Sequence, residues 1–385
     1  MADRSATPPL LKQLNAKAVL QSIRDGSPIS RAEIARRTGI SKPTVSLALQ
    51  ALLESGVVRE TTPEPDRPHY GAVFFEPVPE AALVVGLDVG ARFLRGAISD
   101  LDGHVRARLD VELRGVTAES MLETVTELYG ALLQAIGRPT VRVDGAVVGV
   151  PGVVDPASGS VSLGTNVPGI EERDFAADLA ALLGVAVRLE NDINLAALGE
   201  QWRGIARGID DFLFLSIGTG MGSGLVLRGE LHRGRNGAAG ELDYALVGVP
   251  VDLDPCAQAV AALTEELAPA FSGRTALLPP YEPRLVFAAA RTGDPHAQAV
   301  VAEEARRIAL HVLPVAAVAD VELVVLGGGI GTNGDLLLDP IRLHLAEWLP
   351  FPPRVEISSL GEAAVLTGAL AVGVWSARDS VFAPS

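Results

Sequence analysis

Apolar residues in the first sixty positions recur at helical spacing in three short segments, 10–26, 30–39 and 41–54. A glycine lies at or just beyond the end of each segment, as is typical of helix ends. Ser30 and Glu33 form a Ser-x-x-Glu capping box, in which the hydroxyl and the carboxylate each accept a hydrogen bond from an unpaired backbone N–H group. The pattern predicts three helices, the last two joined by a tight turn.

Two short helices joined by a glycine-containing turn are typical of helix-turn-helix proteins, which place the second helix in the major groove of DNA. Short apolar runs at 57–60 and 72–75 flank a proline-rich turn and predict the two strands of a wing. The alternative is a three-helix interaction module without a role in DNA binding. On the DNA-binding interpretation, the contacting side chains are predicted to be Arg31, Lys42, Thr44, Ser46 and Arg67.

Beyond residue 80 the pattern changes to apolar strands that alternate with helical segments. A helical pattern covers 120–136, and another helix follows Asp192. This order predicts an α/β architecture with a mixed sheet and helices packed against it. The predicted strands are 82–90, 94–101, 143–150, 185–189, 212–217 and a strand that ends at the glycines 327–329.

Charge is distributed unevenly along the chain. The net charge is −15, which by itself argues against nucleic-acid binding. Residues 1–60 nevertheless contain nine basic and five acidic residues, so they carry +4 and the remainder carries −19. A basic head on an acidic body approaches phosphates with the head first. The charge distribution therefore supports DNA binding by the N-terminal segment.

Length and composition restrict the class of protein. The 385 residues exceed what one hydrophobic core usually serves, so we expect two or three folding units. No segment resembles an export signal or a membrane span, and we expect a cytoplasmic protein. Cys256 is the only cysteine, which excludes an internal disulfide and a cysteine-cluster zinc site.

Polar and glycine-rich motifs follow the predicted strands. The sequence Glu190-Asn191-Asp192 ends one strand, and ligand-binding groups are typical of that position in open sheets. Glycines at 218–224 and 327–329 would let backbone N–H groups approach a phosphate, although tight strand connections also need glycine for steric reasons. The two glycine loops indicate a two-lobed nucleotide-binding fold.

Five motifs in this order resemble those of the ROK family, named for repressors, open reading frames and kinases. The resemblance covers nearly the whole chain, and the helix-turn-helix head is similar to that of the family's repressor branch. The motifs are Gly149-Val150-Pro151-Gly152-Val153-Val154-Asp155, Thr165-Asn166-Val167-Pro168-Gly169, Glu190-Asn191-Asp192-Ile193-Asn194, Gly218 to Gly224, and Gly234 through Gly237-Ala238-Ala239-Gly240-Glu241.

The resemblance implies an α/β, two-lobed, actin-like sugar-kinase fold behind an N-terminal winged helix-turn-helix domain. The expected division is 1–78 for the head, 79–195 plus 356–385 for the first lobe, and 196–355 for the second lobe. The sugar is expected in the cleft between the lobes. In family kinases, the position of Asp192 is the general base. The family's sugar-binding positions are matched by Asn166, Asn191, Asp192 and Glu241.

Helix capping or a solvated loop is the alternative role for Asp192 and Glu241. Departures from the family pattern matter as well. Tyr244 stands where the family has a zinc-binding His, and Cys256 stands alone where it has a cysteine cluster, so neither zinc nor another metal is expected. Tyr244 is expected to hydrogen-bond the sugar instead, and Gln258 stands near another sugar-binding Glu of the family.

The first phosphate loop lacks the Thr and Lys of the family kinases and has Arg92 one place early. ATP is therefore not expected as a ligand, and Asp192 is expected to serve recognition rather than catalysis. The residues of these degenerate nucleotide loops are Asp88, Gly90, Gly218, Thr219, Gly220 and Gly328.

The resulting functional hypothesis is a sugar-responsive DNA-binding regulator of carbohydrate metabolism genes, most simply a repressor. A homodimer on a palindromic operator is expected, with a tetramer as the alternative. Two other functions remain open: a sugar kinase with an accessory DNA-binding head, and a DNA-binding protein whose body is a scaffold without a ligand.

Overall fold

The computed structural model describes residues 8–62, 72–90, 92–137, 143–164, 167–249 and 252–380. Two predicted contact residues, Arg67 in the wing and Asn166 in the cleft, lie outside the described residues. Within the described part of the chain, no helix combines the length and apolar character that a membrane span requires.

The head is a three-helix unit closed by a small antiparallel sheet of order β1-β3-β2, as expected for a winged helix-turn-helix. The second and third strands begin one and two residues later than predicted, and a short strand before α2 joins them. The elements are α1 (Pro8–Gly26), β1 (Ile29–Ser30), α2 (Arg31–Thr38), α3 (Lys42–Glu54), β2 (Val58–Thr61) and β3 (Phe74–Pro77).

Local capping explains why these helices begin where they do. The Ser30 hydroxyl accepts a hydrogen bond from the Glu33 N–H (3.3 Å), and Ser41 caps α3 in the same way. The predicted return contact of the Glu33 carboxylate is wrong, because this carboxylate accepts hydrogen bonds from Arg36 and Arg37 (2.6–2.9 Å). Guanidinium groups one turn away form charge-assisted hydrogen bonds, which are stronger than a bond from a neutral N–H.

The first lobe is built on a mixed sheet of order β10-β7-β4-β5-β6, in which β4, β7 and β10 are parallel. Strand β6 was not predicted. The elements are β4 (Leu83–Val89), β5 (Phe93–Asp100), β6 (Val105–Glu112), α4 (Ala118–Ala135), β7 (Val143–Val150), β8 (Val153–Val154), β9 (Val161–Ser162), α5 (Phe175–Leu183), β10 (Val187–Asn191) and α6 (Asp192–Arg203).

The second lobe repeats this plan with a sheet of order β13-β12-β11-β14-β15. Strands β11, β14 and β15 are parallel, and β12 is antiparallel to β11. The elements are β11 (Phe212–Ile217), β12 (Met221–Leu227), β13 (Glu230–Leu231), α7 (Ala257–Leu267), α8 (Pro283–Arg291), α9 (Pro295–Ala319), β14 (Leu323–Gly327), α10 (Gly328–Gly331), α11 (Gly334–Trp348) and β15 (Arg354–Ile357).

The last helix, α12 (Ala364–Ser380), returns to the first lobe and packs against β4 and α6. The predicted boundary between residues 355 and 356 lies inside β15, and the one between 195 and 196 lies inside α6. Strand β15 belongs wholly to the second sheet because it pairs with β14. Helix α6 contacts both α12 and the strands of the second sheet, so it connects the lobes.

Helices α6 and α12 cross with their backbones in direct contact. A Cβ atom added to Gly368 would lie 1.8 Å from the carbonyl oxygen of Leu195, and one added to Gly199 would lie 2.3 Å from that of Ala364. No side chain fits between the two helices at this point. Glycine is therefore required at the crossing on steric grounds.

The head and the first lobe share one hydrophobic core. Val19 and Ile23 of α1 belong to the same buried cluster as Leu370 and Val374 of α12. Polar contacts reinforce this interface: Arg24 of α1 and Arg378 of α12 both donate to the backbone carbonyl of residue 101, and Arg24 also forms an ion pair with the carboxylate of residue 102. The orientation of the head is consequently tied to α12.

Replacing Gly368 by alanine should lower the free energy of unfolding by about 3 kcal/mol or more, because the added methyl group forces the two backbones apart. Gly130→Ala is the matched control, since a Cβ atom there meets nothing within 4 Å and alanine is the better helix former by up to about 1 kcal/mol. Urea unfolding of both variants measures the effects, and similar values for the two would contradict the tight crossing.

Candidate functional site

A cleft of about 650 Å³ opens between the two lobes, a size typical of small-molecule sites. Four of the predicted sugar-binding residues line it together, and Gln258 does not. Gln258 instead lines a neighbouring cavity of about 410 Å³, which meets the cleft at the loop 219–221. The predicted residues in the cleft are Asn191, Asp192, Glu241 and Tyr244.

Asn191 fixes the start of α6. Its side-chain oxygen accepts a hydrogen bond from the Asn194 N–H (2.9 Å), and its amide nitrogen donates to the Gly152 carbonyl (2.9 Å). The capping role considered for Asp192 thus belongs to its neighbour Asn191. Asn191 consequently positions Asp192 at the first turn of α6.

The half-buried carboxylate of Asp192 accepts a hydrogen bond from the Ile193 N–H (2.9 Å). Burial, reinforced by the nearby Asp88 carboxylate, raises the pKa of Asp192 to about 7. Burial likewise raises the pKa of Asp88 to about 6, although the Arg95 guanidinium opposes this shift. The Asp192 carboxylate at the cleft therefore retains its proton to a higher pH than an ordinary aspartate does.

Glu241 reaches the cleft from the opposite lobe. The preceding Gly240 has φ +100°, and a Cβ atom there would lie 2.5 Å from the Ser223 carbonyl oxygen. The Ser223 hydroxyl donates to the Gly240 carbonyl (2.6 Å) and anchors the turn. Burial, followed by repulsion from Asp243, raises the pKa of Glu241. Tyr244 lies at the rim with its side chain exposed.

A buried ion pair, which the sequence did not predict, connects the two sides of the cleft. Glu190 is 3% exposed and accepts hydrogen bonds from Nε and Nη2 of Arg233 (2.8 and 2.6 Å). Its other oxygen accepts from the Asn194 side chain (3.1 Å). Arg233 lies in the loop that leads to Glu241. The signal in the sequence is a carboxylate at the end of an apolar strand, where burial requires a partner.

The predicted nucleotide loops differ in what they contact. Four of their glycine and threonine residues line the cleft, whereas Asp88 is buried and forms an ion pair with Arg95 (3.3 Å). Arg95 also binds Glu362 (2.5 Å), so its guanidinium is held between two carboxylates. The loop residues that line the cleft are Gly90, Gly218, Thr219 and Gly220.

Two further loop residues serve the fold. Arg92, the candidate for a phosphate contact, points to Glu112 instead (3.0 Å). Gly328 has φ +78°, and a Cβ atom there would lie 2.3 Å from the Ile217 carbonyl oxygen, so steric need accounts for this glycine. Neither residue lines the cleft.

In the head, Arg31 at the start of α2 lies beside Lys42 and Ser46 in the first turns of α3. Arg31 donates to the Ser46 hydroxyl (3.1 Å), which in turn donates to the Lys42 carbonyl (3.0 Å). Arg31 and Lys42 are exposed. The Thr44 hydroxyl is engaged with Ser41 (2.8 Å). The two cations are thus presented to solvent, while both predicted hydroxyl groups have partners within the head.

The family model for ROK proteins matches residues 84–374, which is most of the chain. The chain belongs to the ROK family. A model for winged helix-turn-helix DNA-binding domains matches residues 14–59, within the head. The predicted family and fold are thereby confirmed.

Relatives of this ROK chain include repressors and kinases. It is 24% identical to the xylose repressor of Caldicellulosiruptor bescii over 94% of this chain and 96% of that one. It is 29% identical to the glucokinase of Thermotoga maritima over 75% and 96%. A crystal structure of a ROK family transcriptional regulator, a homolog of the E. coli MLC protein, superimposes with a TM-score of 0.80 at 21% identity, covering 97% and 98%. That structure supports the fold.

The zinc site implied by the ROK resemblance does not fit the residues present. Tyr244 offers no imidazole, and the Cys256 thiol is buried, with a pKa raised chiefly by that burial. Among the described residues, no group of three His, Cys, Asp or Glu side chains is arranged to hold a metal ion.

Asp192→Asn should make the protein more stable above pH 7. The folded-state pKa of Asp192 is raised to about 7. The contribution of this carboxyl group to the stability of the wild type is therefore fully present below about pH 4 and is lost as the pH rises through about 7. Asparagine does not titrate, so the gain in melting temperature should increase from pH 5 to pH 8.

Asp155→Asn provides a comparison of opposite sign. Hydrogen bonds from the Ser158 N–H and hydroxyl lower the pKa of Asp155, so its contribution is present at neutral pH and lost on acidification. This variant should lose stability at pH 8. A gain for Asp192→Asn that is the same at every pH would rule out a proton-linked origin.

Proposed function

We propose that this ROK protein is a transcriptional repressor of carbohydrate metabolism genes, whose binding to operator DNA changes when a sugar occupies the cleft. One observation carries the proposal. The basic winged head shares its core with α12, and α12 crosses α6, whose first residue is the cleft carboxylate Asp192. Similarity to a xylose repressor over nearly the whole chain supports the same function.

The proposed sugar contacts are Asp192 and Glu241, which approach the cleft from opposite lobes. Carboxylate oxygens accept hydrogen bonds from vicinal hydroxyl groups, and a sugar that lacks one of these groups leaves a half-buried acceptor unpaired, at a cost of about 1–3 kcal/mol. We propose xylose as the first effector to test, because the repressor relative is named for it. Glucose is the second, because a glucokinase is among the relatives.

A sugar kinase is the second candidate function, favoured by Asp192 at the kinase base position and by the glucokinase relative. We propose recognition without phosphoryl transfer. The first loop lacks the kinase Thr and Lys, and Asp88 is engaged by Arg95. We accordingly propose that the protein uses neither ATP nor zinc.

On DNA, we propose a homodimer bound to a palindromic operator, since helix-turn-helix proteins usually bind paired half-sites. Arg31 and Lys42 are the proposed phosphate contacts because both are exposed, at the first residues of α2 and α3. Binding that depends on two cations in each subunit should weaken steeply with added salt.

A sugar that binds the cleft should raise the melting temperature, because a ligand specific for the folded state stabilises it by about 2.7 kcal/mol at one hundred times its dissociation constant. Asp192→Ala and Glu241→Ala should each abolish the shift. Asp339→Ala is the control, as that side chain is 96% exposed on α11 and should leave the shift intact. Thermal unfolding against a panel of pentoses and hexoses makes the measurement.

Absence of a shift with every sugar would contradict the cleft assignment while leaving the DNA-binding head untouched. Incubation of the same sugars with ATP and magnesium separates the two candidate functions. Steady formation of sugar phosphate, lost in Asp192→Ala, would make the protein a kinase.

The effector sugar should also change operator affinity, and linkage requires the reciprocal effect. If saturating sugar weakens operator binding tenfold, then saturating operator must weaken sugar binding tenfold. Fluorescence anisotropy of labelled operator and calorimetric titration of the sugar measure the two factors. Asp192→Ala should bind the operator normally without sugar and lose the response. Operator affinity that is the same with and without bound sugar would refute the sensor.

A further inference from the structure

The outward face of α3 carries an apolar residue that the fold does not use. Val45, Leu49 and Leu52 turn into the core of the head and are buried. On the opposite side of the helix, Leu47 has 64% of its surface exposed. A single exposed aliphatic side chain is common on protein surfaces, but Leu47 lies on the helix that a helix-turn-helix domain places in the major groove of DNA.

The side chains one turn before and one turn after Leu47 on this face are also exposed. Pro43, one turn earlier, is exposed and adds a second apolar surface, and Gln50, one turn later, is exposed and polar. The Ser46 hydroxyl beside it already binds Arg31 and the backbone. Leu47 is therefore exposed to solvent, whereas the hydroxyl groups of Thr44 and Ser46, which were predicted to contact DNA, have partners within the head.

The surroundings favour DNA over an apolar protein surface as the partner. Lys42 and Arg31 are exposed beside the start of α3, and residues 1–60 carry a net charge of +4 on a chain that is otherwise strongly acidic. Desolvating such cations against an apolar partner is unfavourable, whereas phosphates pair with them. The charge of this face matches the backbone on either side of a major groove.

We propose that Leu47 packs against the 5-methyl group of a thymine in the operator and thereby determines sequence specificity. The N-terminal residues of a recognition helix approach base edges, and the thymine methyl is the one apolar group that the bases present in the major groove. The inference rests on the proposed operator binding. It adds a direct reader to an interface whose two exposed predicted contacts, Arg31 and Lys42, supply charge.

The test begins with selection of binding sites from random duplex DNA by the full chain. Each thymine of the selected site is then replaced singly by deoxyuridine, which removes only the methyl group. One position in each half-site should lose affinity by about fourfold, the value for one buried methyl group. Leu47→Ala should bind thymine and deoxyuridine at that position equally well.

Leu343→Ala is the matched control, since that leucine is 69% exposed on α11 of the body and should retain the full dependence on the methyl group. Selection of no sequence by the wild type would overturn the proposed DNA binding itself. A selected site at which deoxyuridine has no effect, or an unchanged effect in Leu47→Ala, would overturn the role of Leu47.

Discussion

The contact between Gly199 and Gly368 is the constraint on which the arrangement of the three parts depends. Because neither position has a side chain, α6 and α12 meet backbone to backbone, and a shift of one helix must move the other. Helix α6 begins at the cleft with Asp192 and contacts the strands of the second sheet. Helix α12 extends from this crossing to the head. A single helix crossing therefore lies between the proposed sugar site and the DNA-binding domain.

Polar contacts at both ends of this path favour discrete arrangements over gradual deformation. At the cleft, the buried Glu190–Arg233 pair joins the start of α6 to the loop that carries Glu241. At the head, Arg24 and Arg378 share one backbone carbonyl. Removing one partner from a buried charged contact is expensive, so a lobe movement exchanges such contacts as sets. A sugar whose affinity differed between two arrangements of the lobes would be sufficient to bias the head.

Local signals made the head largely predictable, since capping serines, glycine turns and apolar spacing lie within a few residues of the helices they define. Strand β6 was not predicted, although apolar and charged residues alternate along it, and it lies at the edge of the sheet with much of its surface exposed. Other errors involve distant partners. The sequence alone does not reveal that Arg95 rather than Arg92 approaches Asp88, that Arg233 pairs with Glu190, or that the Ser46 hydroxyl is occupied by Arg31. Each depends on a register or helix orientation set by tertiary packing.

A kinase fold can serve as a sensor because sugar recognition and phosphoryl transfer depend on different groups. Catalysis requires interactions that strengthen in the transition state, whereas a sensor needs only affinity for the sugar as it exists in solution. Groups that contact the sugar are therefore retained in a sensor, and groups that contact only the transferred phosphate are not. This chain keeps Asp192 and Glu241 at the cleft, while Asp88 is bound by an internal guanidinium. The Arg95 guanidinium offsets part of the negative charge of Asp88, while the Asp88 carboxylate still raises the pKa of Asp192, so this ion pair engages Asp88 internally without removing its effect on the cleft.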